Sequence, residues 1–132
     1  MLKLHPDFEK KEIIKELEFG VVLFEDNSLF PWIILASKKG VKNMLGLTFE
    51  ERIKLMQELE LCEQIMQKIY NPEQLNIAIF GNKTPWLHAH IIARKIGDAT
   101  WPRTAFEIPS ASYSLEEKTM QIQAIKNCFL EN

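Results

Sequence analysis

With 132 residues, 46% of them hydrophobic and 26% charged, the chain is long enough to bury a core without help from disulfides or a metal. Sixteen basic residues against eighteen acidic ones leave a formal net charge of -2. That balance argues against a general nucleic-acid or membrane-surface binder, since such proteins carry a basic excess.

The N-terminus is charged from Lys3 onward and has no apolar stretch of the signal-peptide kind. Glu12–Leu17 reads either as a short strand or, taken from Phe8, as part of one helix. Next come Glu18–Phe24 and Phe30–Ala36, two β-branched and aromatic runs joined by the polar turn Glu25–Ser28, which predicts adjacent antiparallel strands. The longest apolar runs, Val21–Phe24 and Pro31–Ala36, fall far short of a bilayer.

Thr48-Phe49-Glu50-Glu51 is a capping box. The helix it opens carries Ile53, Met56, Leu59, Cys62, Met66 and Ile69 at three- and four-residue steps and stops at Asn71-Pro72. Strands at Gln74–Phe80 and Trp86–Arg94 follow, with Gly81-Asn82-Lys83-Thr84-Pro85 as a hairpin turn between them. After an irregular stretch holding Trp101-Pro102 and Pro109, Ser114-Leu115-Glu116-Glu117 caps a last helix with Leu115, Ile122, Ile125 and Phe129 facing inward. The expected fold is α+β: one domain over 1–132, an antiparallel sheet of about five strands on one long central helix, and a C-terminal helix. Cys62 and Cys128 lie in helical segments without short Cys/His spacing, which suits reduced core thiols and a cytoplasmic location.

Chemistry concentrates in Pro85–Arg94. On a strand, Trp86, His88, His90 and Ile92 share one face, while the apolar Leu87, Ala89, Ile91 and Ala93 share the other and should meet the helix. Two imidazoles at that spacing, with Arg94 four residues on, make an anion site. A solvated pair and a fortuitous metal site are the competing readings of the spacing. A zinc site would need further ligands, and the sequence offers only His5 and scattered carboxylates, so no metal and no cofactor are expected. His5 itself reads as incidental, and Lys38-Lys39 as a solvated turn.

Leu87-His88-Ala89-His90-Ile91-Ile92-Ala93-Arg94 resembles the second half of the histidine triad motif, His-φ-His-φ-His-φ-φ, with its following arginine. The resemblance extends over Phe30–Lys39, Leu45-Gly46-Leu47-Thr48, the Gly81-Asn82 turn and Trp101-Pro102. It implies a nucleotide hydrolase or nucleotidyl transferase acting at the α-phosphorus of a dinucleoside polyphosphate or nucleoside phosphoramidate. His88 would be the nucleophile, and His90 would contact phosphate and help move a proton to the leaving group. Asn82 and Thr84 would lie near the phosphate, Asp26 or Asn27 at the ribose, and Arg94 within reach of an anion. The resemblance also implies a homodimer in which Trp101-Pro102 approaches the partner's site. Two of the family's histidine positions are Trp86 and Trp32 here. An indole N–H donates a hydrogen bond but cannot move a proton, so these rings could contact phosphate, stack on a base or fill core. A nucleotide-binding protein of impaired activity is the alternative implied by those replacements.

Overall fold

The computed structural model describes residues 2–132. A helical turn, α1 (Pro6–Glu9), precedes the strands β1 (Ile13–Glu16), β2 (Gly20–Phe24) and β3 (Trp32–Ser37). A 3-10 turn at Met44–Gly46 leads into α2 (Phe49–Tyr70), which is followed by β4 (Gln74–Ala78) and β5 (His88–Arg94). A second 3-10 turn at Ala105–Glu107 precedes α3 (Leu115–Leu130). The segment left open between helix and strand is both in succession. The His5 Nδ1 accepts from the Asp7 amide and Pro6 starts α1, then the chain extends into β1.

The strands form one antiparallel sheet in the order β1-β2-β3-β5-β4. The β3–β5 pairing joins the two halves of the chain and sets Ala36 opposite His88 and Ile34 opposite His90. β4 ends at Ala78 and β5 begins at His88, so the connection is longer than the Gly81–Pro85 turn expected, and Trp86 lies before the strand.

Alternation along β5 divides the molecule as the sequence predicts. Leu87, Ala89, Ile91 and Ala93 share a core with Leu55, Leu59, Cys62, Ile65 and Met66 of α2 and with Ile125, Cys128 and Phe129 of α3. Each large aliphatic side chain buried there contributes about 2 kcal/mol. The capping box forms as predicted: Thr48 Oγ1 accepts from the Glu51 amide and Glu51 accepts from the Thr48 amide. The helix phase holds from Leu59 onward, where Leu59, Cys62 and Met66 are buried, but not before it. Met56 is 65% exposed and Ile53 is also exposed, whereas Leu55 and Glu58 are buried. The physical reason is Glu58, whose carboxylate accepts from the amides of Phe19 (2.8 Å) and Gly20 (3.0 Å), so a charged residue occupies the inward stripe. On α3, Leu115 is exposed in the first turn and Cys128 takes an inward place.

The opposite sheet face carries Val21, Leu23, Trp32, Ile34, Ala36 and Ile92, covered by Leu4 and Phe8 from the N-terminus and by Phe30 and Ala105. No helix of the described residues is long and apolar enough to cross a membrane.

Candidate functional site

His88 and His90 stand on the second face, their rings 5.0 Å apart and steeply inclined. They form the floor of a cleft of about 610 Å³. One wall is the N-terminal segment with Asp7, Phe8, Lys10 and Lys11; another is Phe80–Thr84, and Glu25, Ile34 and Phe106 complete the lining.

The His88 Nδ1 lies 2.6 Å from the Trp86 carbonyl oxygen. A carbonyl only accepts, so Nδ1 carries the proton and Nε2 keeps a free lone pair. Phe8 meets the His88 ring edge-on at 5.0 Å, and both rings are buried.

His90 has the opposite tautomer. The Trp32 indole N–H, which can only donate, points at His90 Nδ1 from 3.0 Å, so the proton sits on Nε2. Around it stand Trp32, Phe106 and Phe80, with ring centroids at 5.5, 5.2 and 6.4 Å. Burial, reinforced by the charges of His88 and Lys11, lowers the His90 pKa to about 4. At neutral pH, His90 is therefore an uncharged donor with its second nitrogen occupied. The resemblance implied a proton-moving residue, and the bond from Trp32 changes that expectation.

Asn82 and Thr84 line the cleft beside the histidines. Thr84 Oγ1 donates to Asp7 Oδ2 at 2.6 Å, which ties the N-terminal segment to the far wall and holds the Asp7 carboxyl below its usual range. Other residues singled out from sequence lie outside the cleft wall. Trp86 donates its indole N–H to the Ser37 carbonyl at 2.7 Å, so that group is already spent within the protein. Asp26 Oδ1 accepts from the Tyr113 amide and Asn27 Oδ1 from the Leu29 amide, so both shape loops, and Glu25 is the residue of that turn that faces the cleft.

Arg94 is 2% exposed and fully engaged. Its Nε and one terminal nitrogen donate to the two Asp98 oxygens at 2.8 and 2.9 Å, the other donates to Asn76 at 3.0 Å, and Phe30 and Trp101 cover its plane. Asp98 also accepts from the amides of Lys95, Thr100 and Trp101. The Arg94 bonds, then burial acting against them, leave its carboxyl at about 2. This cluster anchors the segment that carries Phe106 to the cleft.

Asp7, Phe8, Lys10, Lys11, Glu25, Phe80, Lys83 and Phe106 were not singled out by sequence reasoning. The adjacent Lys10-Lys11 pair and the apolar Phe8 were the available signals, but nothing local says that this segment folds back over a strand eighty residues away. Among the described residues, no group of three or more His, Cys, Asp or Glu side chains is placed to hold a metal ion.

A five-stranded antiparallel sheet on a long helix, with His-x-His on the strand that floors the cleft, defines a histidine triad domain. The family model for the HIT domain matches residues 9–97, and the chain belongs to that family. It is similar to a histidine triad protein from Bradyrhizobium japonicum, with 29% identity over 96% of each chain and a TM-score of 0.89. One from Marinobacter aquaeolei gives 25% identity over 99% of this chain and 98% of that one, with a TM-score of 0.90. The diadenosine triphosphate hydrolase of Plasmodium falciparum, solved with cyclomarin A, gives 25% identity over 93% and 79%, with a TM-score of 0.71. A search among curated protein sequences finds no match.

Proposed function

We propose that the chain binds a nucleoside phosphate conjugate in this cleft and acts on it at the α-phosphorus, with His88 as nucleophile. The observation that carries this reading is the 2.6 Å contact from His88 Nδ1 to the Trp86 carbonyl. It fixes the tautomer that leaves the lone pair on Nε2 and spreads the positive charge that develops on the ring as Nε2 forms a bond to phosphorus. The bond from phosphorus to the leaving group breaks. Water then attacks the nucleotidyl-histidine, the N–P bond breaks, the nucleoside monophosphate departs and the proton from water passes to solvent.

His90 donates its Nε2–H to a phosphoryl oxygen, where fixed donors stabilise the charge of the transition state. Being neutral, it has no spare proton to give, so the leaving group departs as an anion. This favours a polyphosphate conjugate over a phosphoramidate, whose amine must be protonated to leave. Diadenosine triphosphate, named for the Plasmodium falciparum relative, is a member of the favoured class.

A nucleotide-binding protein without turnover is the second reading. Trp32 and Trp86, standing where the resemblance places histidines, favour it, because both indole N–H groups are bound within the protein. Nucleoside monophosphate release from adenylate and guanylate conjugates, compared between wild type and His88→Ala, decides between them. The enzyme reading expects release that the substitution abolishes while ligand still binds. Binding without release in the wild type supports the second reading, and no binding at all refutes both.

A homodimer is part of this proposal. β4 is an edge strand, and beside it Phe49, Ile53, Met56 and Ile77 form exposed apolar surface. A second copy pairing there would extend the sheet and cover these side chains. Sedimentation should show a dimer for the wild type and a monomer for Met56→Glu; a monomeric wild type would dismiss the idea.

A further inference from the structure

The chain has a formal charge of -2, yet its cleft collects three lysines, Lys10, Lys11 and Lys83. Of the two carboxylates that line it, Asp7 is held by Thr84 and Glu25 pairs with Lys11. Lys11 and Glu25 come from different elements, the end of the N-terminal segment and the residue after β2, and each side chain remains about a quarter exposed. Lys11 also lies near enough to His90 to act on its charge state. An ion pair that faces a cleft and borders the floor histidines is a charge already in position for an incoming anion.

We infer that the N-terminal segment is a working part of the ligand site, and that Lys11 exchanges its partner Glu25 for a phosphate group of the ligand. The inference rests on the nucleotide reading above and assigns the charge that receives the outer phosphates. Phosphate offers Lys11 more negative charge and more acceptor oxygens than one carboxylate does. Lys10 and Lys83 raise the local potential from either side, while His88 and His90 hold the phosphorus under attack. Glu25 opposes binding, because its charge competes for Lys11 and repels the anion.

The two halves of the pair therefore carry opposite predictions. The probe is inorganic pyrophosphate, which has no ribose or base to contact Glu25, titrated calorimetrically into folded wild type and variants. Lys11→Gln should weaken binding about tenfold, which corresponds to about 1.4 kcal/mol. Glu25→Gln should tighten it severalfold, Lys11→Arg should retain it, and Lys118→Gln, on α3, should leave it unchanged. A purely structural ion pair is broken equally by Lys11→Gln and Glu25→Gln, so shifts of the same sign, or no shift in either, would overturn the inference, as would wild type that binds no pyrophosphate. The outcome is separable from the nucleotide reading. Conjugate turnover that ignores Lys11 would refute this inference alone, whereas opposite pyrophosphate shifts in a protein that binds no nucleotide would refute only the nucleotide reading.

Discussion

On one side of the sheet, Ala89, Ile91 and Ala93 share a core with Leu55, Leu59 and Ile65 from a helix of 22 residues. On the other, His88 and His90 meet Phe8, Phe80 and Phe106, which come from short turns and irregular chain. The helix side is closed mainly by apolar area, which is non-directional and tolerates small adjustments, with the Glu58 carboxylate as a buried directional contact. The histidine side has a smaller apolar cluster and adds directional ties: Asp98 on Arg94, Trp32 on His90, Thr84 on Asp7. The same strand supplies both, one residue in two to each. Side-chain parity within seven residues thus assigns the two histidines and the helix-facing apolar residues to opposite faces, and each face can be perturbed apart from the other.

The largest expected effect tests that separation. Asp98→Ala strands the buried Arg94 guanidinium and should cost about 3–5 kcal/mol in urea unfolding. It should also loosen the Phe106 segment, so that the His90 pKa climbs from about 4 toward its ordinary value, read by NMR titration. Ile91→Ala should cost about 2–5 kcal/mol through its cavity and leave that titration in place. Equal movement of His90 in both variants would mean that the two faces are not independent.

A second effect is a pH dependence. The folded His90 pKa lies below the unfolded value of 6.5, so the unfolded state binds more protons in between, and stability falls as pH drops from about 6.5 to about 4. The loss is about 3 kcal/mol at most. Asp98, depressed from 3.8 to about 2, adds a further loss below pH 4. Glu58 is shifted upward by burial and acts in the opposite sense, so wild type should be compared with His90→Phe, whose curve should lack the His90 step and keep the Asp98 step. Superimposable curves would show that His90 is not held neutral by its surroundings.

The smallest effect concerns the N-terminal cover. Thr84→Val removes the tie to Asp7 and should speed amide exchange in residues 6–11 with little change in the unfolding midpoint. Unchanged exchange would mean that Phe8 alone, packed on His88, holds the segment down.

Legibility from sequence follows the same divide. The capping box at Thr48, the apolar alternation of β5 and the shared face of His88 and His90 rest on local rules, and they are readable. The inward turn of α2 was readable only in outline, because Glu58 is charged and its partners, the amides of Phe19 and Gly20, lie almost forty residues away. Trp32 stands out in the sequence as a departure from a histidine position, but its bond to His90 spans 58 residues and depends on the β3–β5 register. Arg94 looked like an anion ligand because nothing near it in sequence shows that Asp98, Asn76, Phe30 and Trp101 converge on it.

The indole of Trp32 has a further use. An imidazole hydrogen-bonded to an excited indole quenches its emission, and a protonated one quenches far more strongly. Trp32 shares its bond with the residue at the cleft floor, whereas Trp86 and Trp101 are bound to a backbone carbonyl and to an arginine plane. Ligand entry, or acid, that alters His90 will therefore change the intrinsic fluorescence of Trp32. Occupancy of this cleft can be followed optically in the unlabelled protein, with Trp32→Phe separating this signal from that of Trp86, whose ring stands 6.2 Å from His5.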